Sequence, residues 1–263
     1  MALEAGRPAS SGSRFVILSL PRSGSTSLAR LVNAHPGIRC LFEPFYIRNY
    51  GGKYHALVND APTVDSALDS IWREWNGIKH VWQSFGWPFY DRPEIEDRIA
   101  LAPGHRVIYI MRRNLLRRWV STYLARQMEF WVGTREQFYA RLATFQVPAV
   151  DVEEAREEIA SDRAAMEHRL QSLRSRRTGA MVLYYEDVYR EEASEMERFA
   201  FTNRVLGFLD FSPVTLEMFR ADFQQHLNPD IYRWASPELY RRIPGIERIE
   251  EECGSDQTGW LFR

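Results

Sequence analysis

The residues best suited to chemistry sit together near the start of the chain. Arg22, Ser23, Gly24, Ser25, Thr26 and Ser27 follow an apolar run, Phe15–Leu20, and Pro21. Leu28, Leu31 and Val32 then recur at helical spacing. The pattern predicts a strand, a small-residue loop and a helix. Such a joint aims several backbone N–H groups and the positive end of a helix at one point, which suits a phosphate or sulfate. It comes close to a nucleotide-kinase loop but departs from its pattern, G-x-x-x-x-G-K-[ST]; here neither that spacing nor its Lys is present. A second basic group follows another short apolar run, Val107–Met111. Leu116, Trp119, Val120, Tyr123 and Leu124 mark one helical stripe, and Arg113, Arg117 and Ser121 recur on a different face, one turn apart. Guanidinium forks match phosphate oxygens in pairs, and a hydroxyl adds a neutral donor; a solvated basic face is the other reading of those residues. For proton transfer there are two candidates, Glu43 in FEPF and His80 after Lys79. Histidine has the better ordinary pKa for a general base. A glutamate needs burial or an anionic neighbour to raise its pKa.

These groups need a frame that brings them together. Strands are expected at Phe15–Leu20, Arg39–Phe42, Ile78–Trp82, Val107–Met111 and Met181–Tyr185, with helical stretches between them. Short, continuous apolar runs alternating with helices describe an α/β fold with a buried parallel sheet. In such sheets ligands gather at the carboxyl ends of the strands, where Arg22, Glu43, Lys79, His80 and Arg113 all fall. Residues 1–13 are expected to be disordered and 14–263 to form one domain. Asp151–Arg177 reads as a long solvated helix, acidic at its start and basic at its end, closed by Gly179. The tail from Phe223 shows little periodicity and reads as a segment covering the site. Trp72, Trp75, Trp82 and Trp87 are expected to be core for the most part, although aromatic faces also stack on sugar rings.

Composition narrows the partners. The chain has 263 residues, 45% of them hydrophobic, and a formal net charge of −1. Positive charge is local, which suits a small anion and argues against a nucleic acid. Cys40 and Cys253 form neither a disulfide framework nor a metal pattern, which implies a reducing compartment. No signal peptide or membrane span is expected, so a soluble cytoplasmic protein is the expectation.

Taken together, LPRSGSTSL and RNLLRRWVS resemble the two anion-binding elements of the sulfotransferases that use 3′-phosphoadenosine 5′-phosphosulfate (PAPS). The family's first element is similar to P-[RK]-[ST]-G-[ST]-[ST] and the second to R-[DN]-P-x-x-x-x-x-S. Leu115 stands where the family usually has Pro. HPGIRCLFEPF, Gly77-Ile78-Lys79, MVLYYEDV and Leu206-Gly207-Phe208-Leu209 resemble further segments of bacterial and carbohydrate members. The resemblance implies a P-loop-NTPase-like sulfotransferase fold and transfer of a sulfuryl group from PAPS to an acceptor hydroxyl, with PAP as product and no metal. It implies a carbohydrate acceptor, with a lipid or polyketide hydroxyl still open. It assigns Arg22, Ser23, Gly24, Ser25, Thr26 and Ser27 to the 5′-phosphosulfate, and Arg113 and Ser121 to the 3′-phosphate. Arg241 and Arg242 would lie in a loop closing over that phosphate. Arg22, where many relatives carry Lys, would act by its charge alone. Glu43 is preferred as base over His80. A P-loop kinase or NTPase, or a non-catalytic nucleotide-binding protein on the same fold, are the competing readings.

Overall fold

The chain alternates strands and helices in the order its periodicity implies. The structure, a computed structural model, describes residues 12–60, 64–83, 87–89, 92–131, 133–175, 179–228 and 237–263. The strands are β1 (Phe15–Ser19), β2 (Cys40–Phe42), β3 (Gly77–Val81), β4 (Arg106–Met111) and β5 (Ala180–Tyr184). They form one sheet in the order β2-β3-β1-β4-β5, and every pairing is parallel. β1 and β3 are buried along their whole length, which is why they read as unbroken apolar runs.

Helices cover both faces. α1 (Ser25–Asn33) follows β1; α2 (Lys53–Asp60) and α3 (Val64–Ile71) follow β2; α4 (Pro93–Leu101) follows β3. After β4 come α5 (Leu115–Gln127), α6 (Arg135–Thr144) and α7 (Val152–Arg174), and after β5 come α8 (Tyr185–Val188) and α9 (Glu195–Phe208). Alternate strand residues face opposite layers. Val16, Leu18, Ile78, Val107 and Tyr109 pack with α3 and α4. Phe15, Ile17, Ile108 and Ile110 pack with α1 and α9. A third apolar cluster joins α5 to α7 and to a helix at Ile246–Cys253.

The topology marks where a ligand belongs. From β1 the chain crosses to β2 on one side, and from β4 it crosses to β5 on the other. The loops leaving these two neighbouring strands therefore diverge and open a crevice at their carboxyl ends. The loop at Arg22 and the segment at Arg112 border that crevice.

Three expectations need correction. Ser13 is tied down rather than loose: its N–H donates to the Leu209 carbonyl at 3.1 Å and its hydroxyl to the Asp210 carboxylate, while residues 1–11 lie outside the described residues. α7 is not solvated on every side, because Ala155, Ile159, Asp162, Arg169 and Leu173 are buried; it ends at Ser175, and Gly179 takes its left-handed φ of 68° in the approach to β5. The tail has a periodic element, the helix Ile246–Cys253, which buries Ile246, Ile249 and Cys253; residues 229–236 of the tail lie outside the described residues.

Candidate active site

The loop after β1 turns sharply from strand to helix. Arg22 and Gly24 both take left-handed backbone conformations, with φ of 63° and 82°. Two such turns in three residues swing the chain from strand into helix within a few ångströms. Gly24 is required there on two counts. An L side chain at that φ is strained, and a Cβ would stand 2.6 Å from the Tyr189 ring and 2.8 Å from the Tyr185 ring. The first turn of α1 carries no acidic residue, so the positive end of its dipole is not neutralised locally. The Ser19 hydroxyl donates to Ser25 Oγ at 2.7 Å and braces the turn from the strand. Ser23 is buried, and its hydroxyl has no hydrogen-bond partner among the described residues. Gly24, Ser25, Thr26 and Ser27 line a cleft of about 570 Å³.

The segment between β4 and α5 completes the positive side of that cleft with Arg112, not with Arg113. Arg112 lines the cleft, stacks on the Tyr185 ring at 4.5 Å and donates to the Arg22 carbonyl at 3.4 Å. Arg113 points away. Its guanidinium is paired in bidentate fashion with Asp187 at 2.6 Å on both arms, lies over the Tyr184 ring at 4.0 Å and is 50% exposed. Arg112 meets the loop directly after β4, and the chain bends at Arg113, whose carbonyl accepts from the Leu115 N–H at 3.0 Å. Ser121 does reach the cleft and accepts from Arg22 Nε at 2.9 Å, which ties α5 to the loop. Arg117 is not on the cleft lining; it donates to the carbonyls of Leu261 at 3.0 Å and Arg263 at 3.1 Å. Burial first, and then the nearby charge of Arg112, hold the Arg22 guanidinium below its ordinary pKa. A bound anion would offset both effects.

At the ends of β2 and β3 the expected pair of bases separates. Glu43 has φ of 49°, with its N–H donating to the Lys79 carbonyl at 2.7 Å and its own carbonyl accepting from Asn49 Nδ2 at 2.9 Å. Its carboxylate is ion-paired with the Lys79 ammonium, and both side chains line the cleft. Lys79 is 2% exposed; burial lowers its pKa and the Glu43 charge works against that shift. His80 is one residue along and faces the other layer. It is 1% exposed, hydrogen-bonds to Glu96 at 2.7 Å and packs against Phe45 and Phe89. The strand alternation that brings Lys79 to the cleft removes His80 from it, so His80 is corrected from candidate base to a satisfied core histidine. The β-strand period, applied from Gly77 onward, was the signal for Lys79.

Arg241 and Arg242 are not among the cleft residues. Arg241 stacks over Phe262 at 4.8 Å, and Tyr240 beside them is the residue that lines the cleft. Of the four tryptophans, Trp72, Trp75 and Trp82 are buried, and Trp87 lines the cleft with Tyr46, their rings 5.3 Å apart. Phe130 and Trp131 contribute to the same lining from the turn after α5, and the Trp131 carbonyl accepts from Arg22 Nη1 at 3.2 Å. The cleft thus has a cationic half formed by the loop, Arg112 and Ser121, and an aromatic half in which Glu43 and Lys79 sit at the boundary.

Fold and site together define an α/β protein that presents a Ser- and Gly-rich loop and a Glu43–Lys79 ion pair at the switch point of a parallel sheet. Over 122 residues the chain is 32% identical to nodulation protein H of Rhizobium meliloti (strain 1021), covering 45% of this chain and 49% of that protein. Over 121 residues it is 32% identical to nodulation protein H of Rhizobium tropici, covering 45% and 48%. The match therefore spans about half the length of these curated relatives. No family model matches the chain. Among solved structures it is similar to mouse sulfotransferase SULT7A1 complexed with PAP, with a TM-score of 0.42, 14% identity, and coverage of 81% of this chain and 64% of that one. It is also similar to the sulfotransferase domain of the Synechococcus PCC 7002 olefin synthase, with a TM-score of 0.36, 17% identity, and coverage of 78% and 75%. Among the described residues no helix is long and apolar enough to cross a membrane.

Proposed function

We propose that this protein transfers a sulfuryl group from PAPS to a hydroxyl of a carbohydrate. The observation that carries the proposal is the convergence of the Arg22 loop, Arg112 and Ser121 on one cleft that also contains the Glu43–Lys79 pair. The sequence resemblance to sulfotransferases and the relationship to nodulation protein H support it. In this reading the acceptor oxygen attacks sulfur in line while the bond from sulfur to the 5′-phosphate oxygen breaks. The acceptor proton passes to the Glu43 carboxylate, and PAP leaves with the charge. Arg22, Arg112 and the N–H groups at the start of α1 stabilise that charge as it forms. Arg22 remains a cation throughout, whereas the Lys79 ammonium has a proton to give. Serving as the counter-ion of Glu43 and lying next to the leaving oxygen are compatible roles for Lys79.

The aromatic half of the cleft supports a sugar as acceptor. Tyr46 and Trp87 offer faces of the kind that pyranose rings stack on, with the Asn49 and Gln83 amides nearby in the lining. A cytoplasmic setting is part of the same proposal, in keeping with Cys40 and Cys253, both buried and unpaired. Calorimetry with PAP, and with ATP–Mg²⁺ as control, tests the donor. PAP binding that weakens at least tenfold in Arg22→Ala is the expected result. Preference for ATP–Mg²⁺ would replace the proposal with a kinase or NTPase, and PAP binding without turnover on any hydroxylated sugar would leave a nucleotide-binding protein.

A further inference from the structure

Arg22 holds a left-handed conformation, φ 63°, that strains a residue with a Cβ, and such strain persists only where the surroundings over-determine it. Side chains from other elements grip this loop by its carbonyl oxygens. The Tyr189 hydroxyl donates to the Gly24 carbonyl at 2.8 Å, and Arg112 Nη1 donates to that of Arg22 at 3.4 Å. The third is Arg118 of α5, whose Nη1 donates to the Pro21 carbonyl at 3.4 Å. Unlike Arg112, Arg118 is not on the cleft lining; it is 3% exposed. Its other Nη is ion-paired with Asp162 of α7, itself buried. Glu158, one turn before Asp162, accepts from Trp119 Nε1 at 2.7 Å and from Arg126 at 2.8 Å, so α7 clamps α5 along one seam.

We propose that Arg118 and Asp162 are positioning residues for the anion loop: the Asp162 carboxylate aims the Arg118 guanidinium, which fixes the Pro21 carbonyl and so the left-handed turn at Arg22. Three features separate this from a generic buried pair. The guanidinium bridges two elements, the loop and α7. The carbonyl it holds belongs to the residue just before the strained one. Ser121, one turn further along α5, holds the side chain of the strained residue itself. One helix therefore sets both the backbone and the side chain of Arg22. The inference rests on the proposed function only for the identity of the anion.

The test uses three variants of the full chain and three readouts: thermal melting, loop exchange, read as hydrogen exchange of the Leu28 amide that donates to the Gly24 carbonyl at 3.1 Å in the free protein, and calorimetry with PAP. Arg118→Met/Asp162→Leu replaces the buried pair by apolar side chains of similar bulk, an exchange that is often neutral for stability. The expectation is a melting temperature close to the parent's, a Leu28 amide that exchanges at least tenfold faster, unchanged exchange in β1 and β4, and PAP binding about tenfold weaker. A double variant with parental loop exchange and parental PAP affinity overturns the proposal. If that variant does not fold, Arg118→Lys decides, since one ammonium cannot span both Asp162 and the Pro21 carbonyl as a fork does. Faster loop exchange at near-parental melting supports the positioning role, and unchanged loop exchange overturns it. Asp162→Asn should lower melting and loosen the loop together; lower melting with an unchanged loop counts against the proposal. If the parent itself fails to bind PAP, the functional reading falls alone, and loop exchange still decides the positioning role.

Discussion

Replacing Glu43 by Gln separates the roles this site combines. The carboxylate is 32% exposed and its partner Lys79 is 2% exposed, so the change leaves a buried ammonium without its counter-ion. Breaking a fully buried pair costs about 3–5 kcal/mol. Here water reaches the Glu43 side and Gln keeps an acceptor oxygen, so about 1–2 kcal/mol is expected, or a melting shift of roughly 2–4 °C in a domain of this size. The catalytic loss is much larger: removing a general base lowers turnover by about 10²–10⁴. PAP affinity should stay within about twofold or tighten, because a negative charge leaves a cleft that attracts anions. The pH dependence supplies a third readout. Burial pulls the Lys79 pKa below its usual 10.5 and Glu43 holds it up. In the variant the upward pull of Glu43 is gone, so Lys79 loses its proton at lower pH, and the alkaline fall in PAP affinity moves to lower pH. Single-turnover sulfuryl transfer, thermal melting and calorimetry across pH check the three. Turnover within tenfold of the parent would refute Glu43 as base, and an alkaline arm that moves to higher pH would refute the pairing with Lys79.

Further outcomes follow from the same geometry. Arg112→Ala should weaken PAP binding at least tenfold, whereas Arg113→Ala, which removes an exposed pair with Asp187, should change affinity less than about twofold and stability by less than about 1 kcal/mol; calorimetry on the two variants side by side reverses this assignment if the order is reversed. Gly24→Ala forces a side chain into a left-handed position against two tyrosine rings, so melting should fall by several degrees and PAP binding should be lost. His80→Gln should lower stability by about 1–3 kcal/mol through its buried contact with Glu96 and leave the pH profile of turnover unchanged; an altered profile would return His80 to the chemistry.

The sheet and the joint between β1 and α1 were legible because each rests on a local pattern. The five apolar runs named their strands to within a residue or two, and the string of small residues between Pro21 and Leu28 marked the joint where a helix begins. The clamp on that loop was not legible. Arg118 and Asp162 are far apart in sequence, and a charge on each of two helices reads as solvated until the seam between the helices is known. The same limit hid the helix Ile246–Cys253, whose three buried positions are too few to stand out amid acidic residues.

The two corrected assignments share one physical origin. Lys79 and His80 are neighbours at the end of β3, and Arg112 and Arg113 are neighbours just past β4. In each pair the sequence pattern located the strand end but not the face: along β3 a shift of one residue reverses the side chain, and past β4 the chain bends at Arg113. For β3 the face follows from its partner: Lys79 is opposite Phe42 of β2 and Ile17 of β1, in the row that leads to Glu43. For β4, Arg113 is fixed by Asp187, which comes from the helix after β5 and so enters only with the fold. Chemistry favoured histidine and motif spacing favoured Arg113, but pleat and register decide which side chain meets the cleft. The two variant pairs therefore test one idea: if His80→Gln and Arg113→Ala both damage donor binding or turnover more than Lys79→Met and Arg112→Ala do, the register at the carboxyl end of this sheet has been misread by one residue.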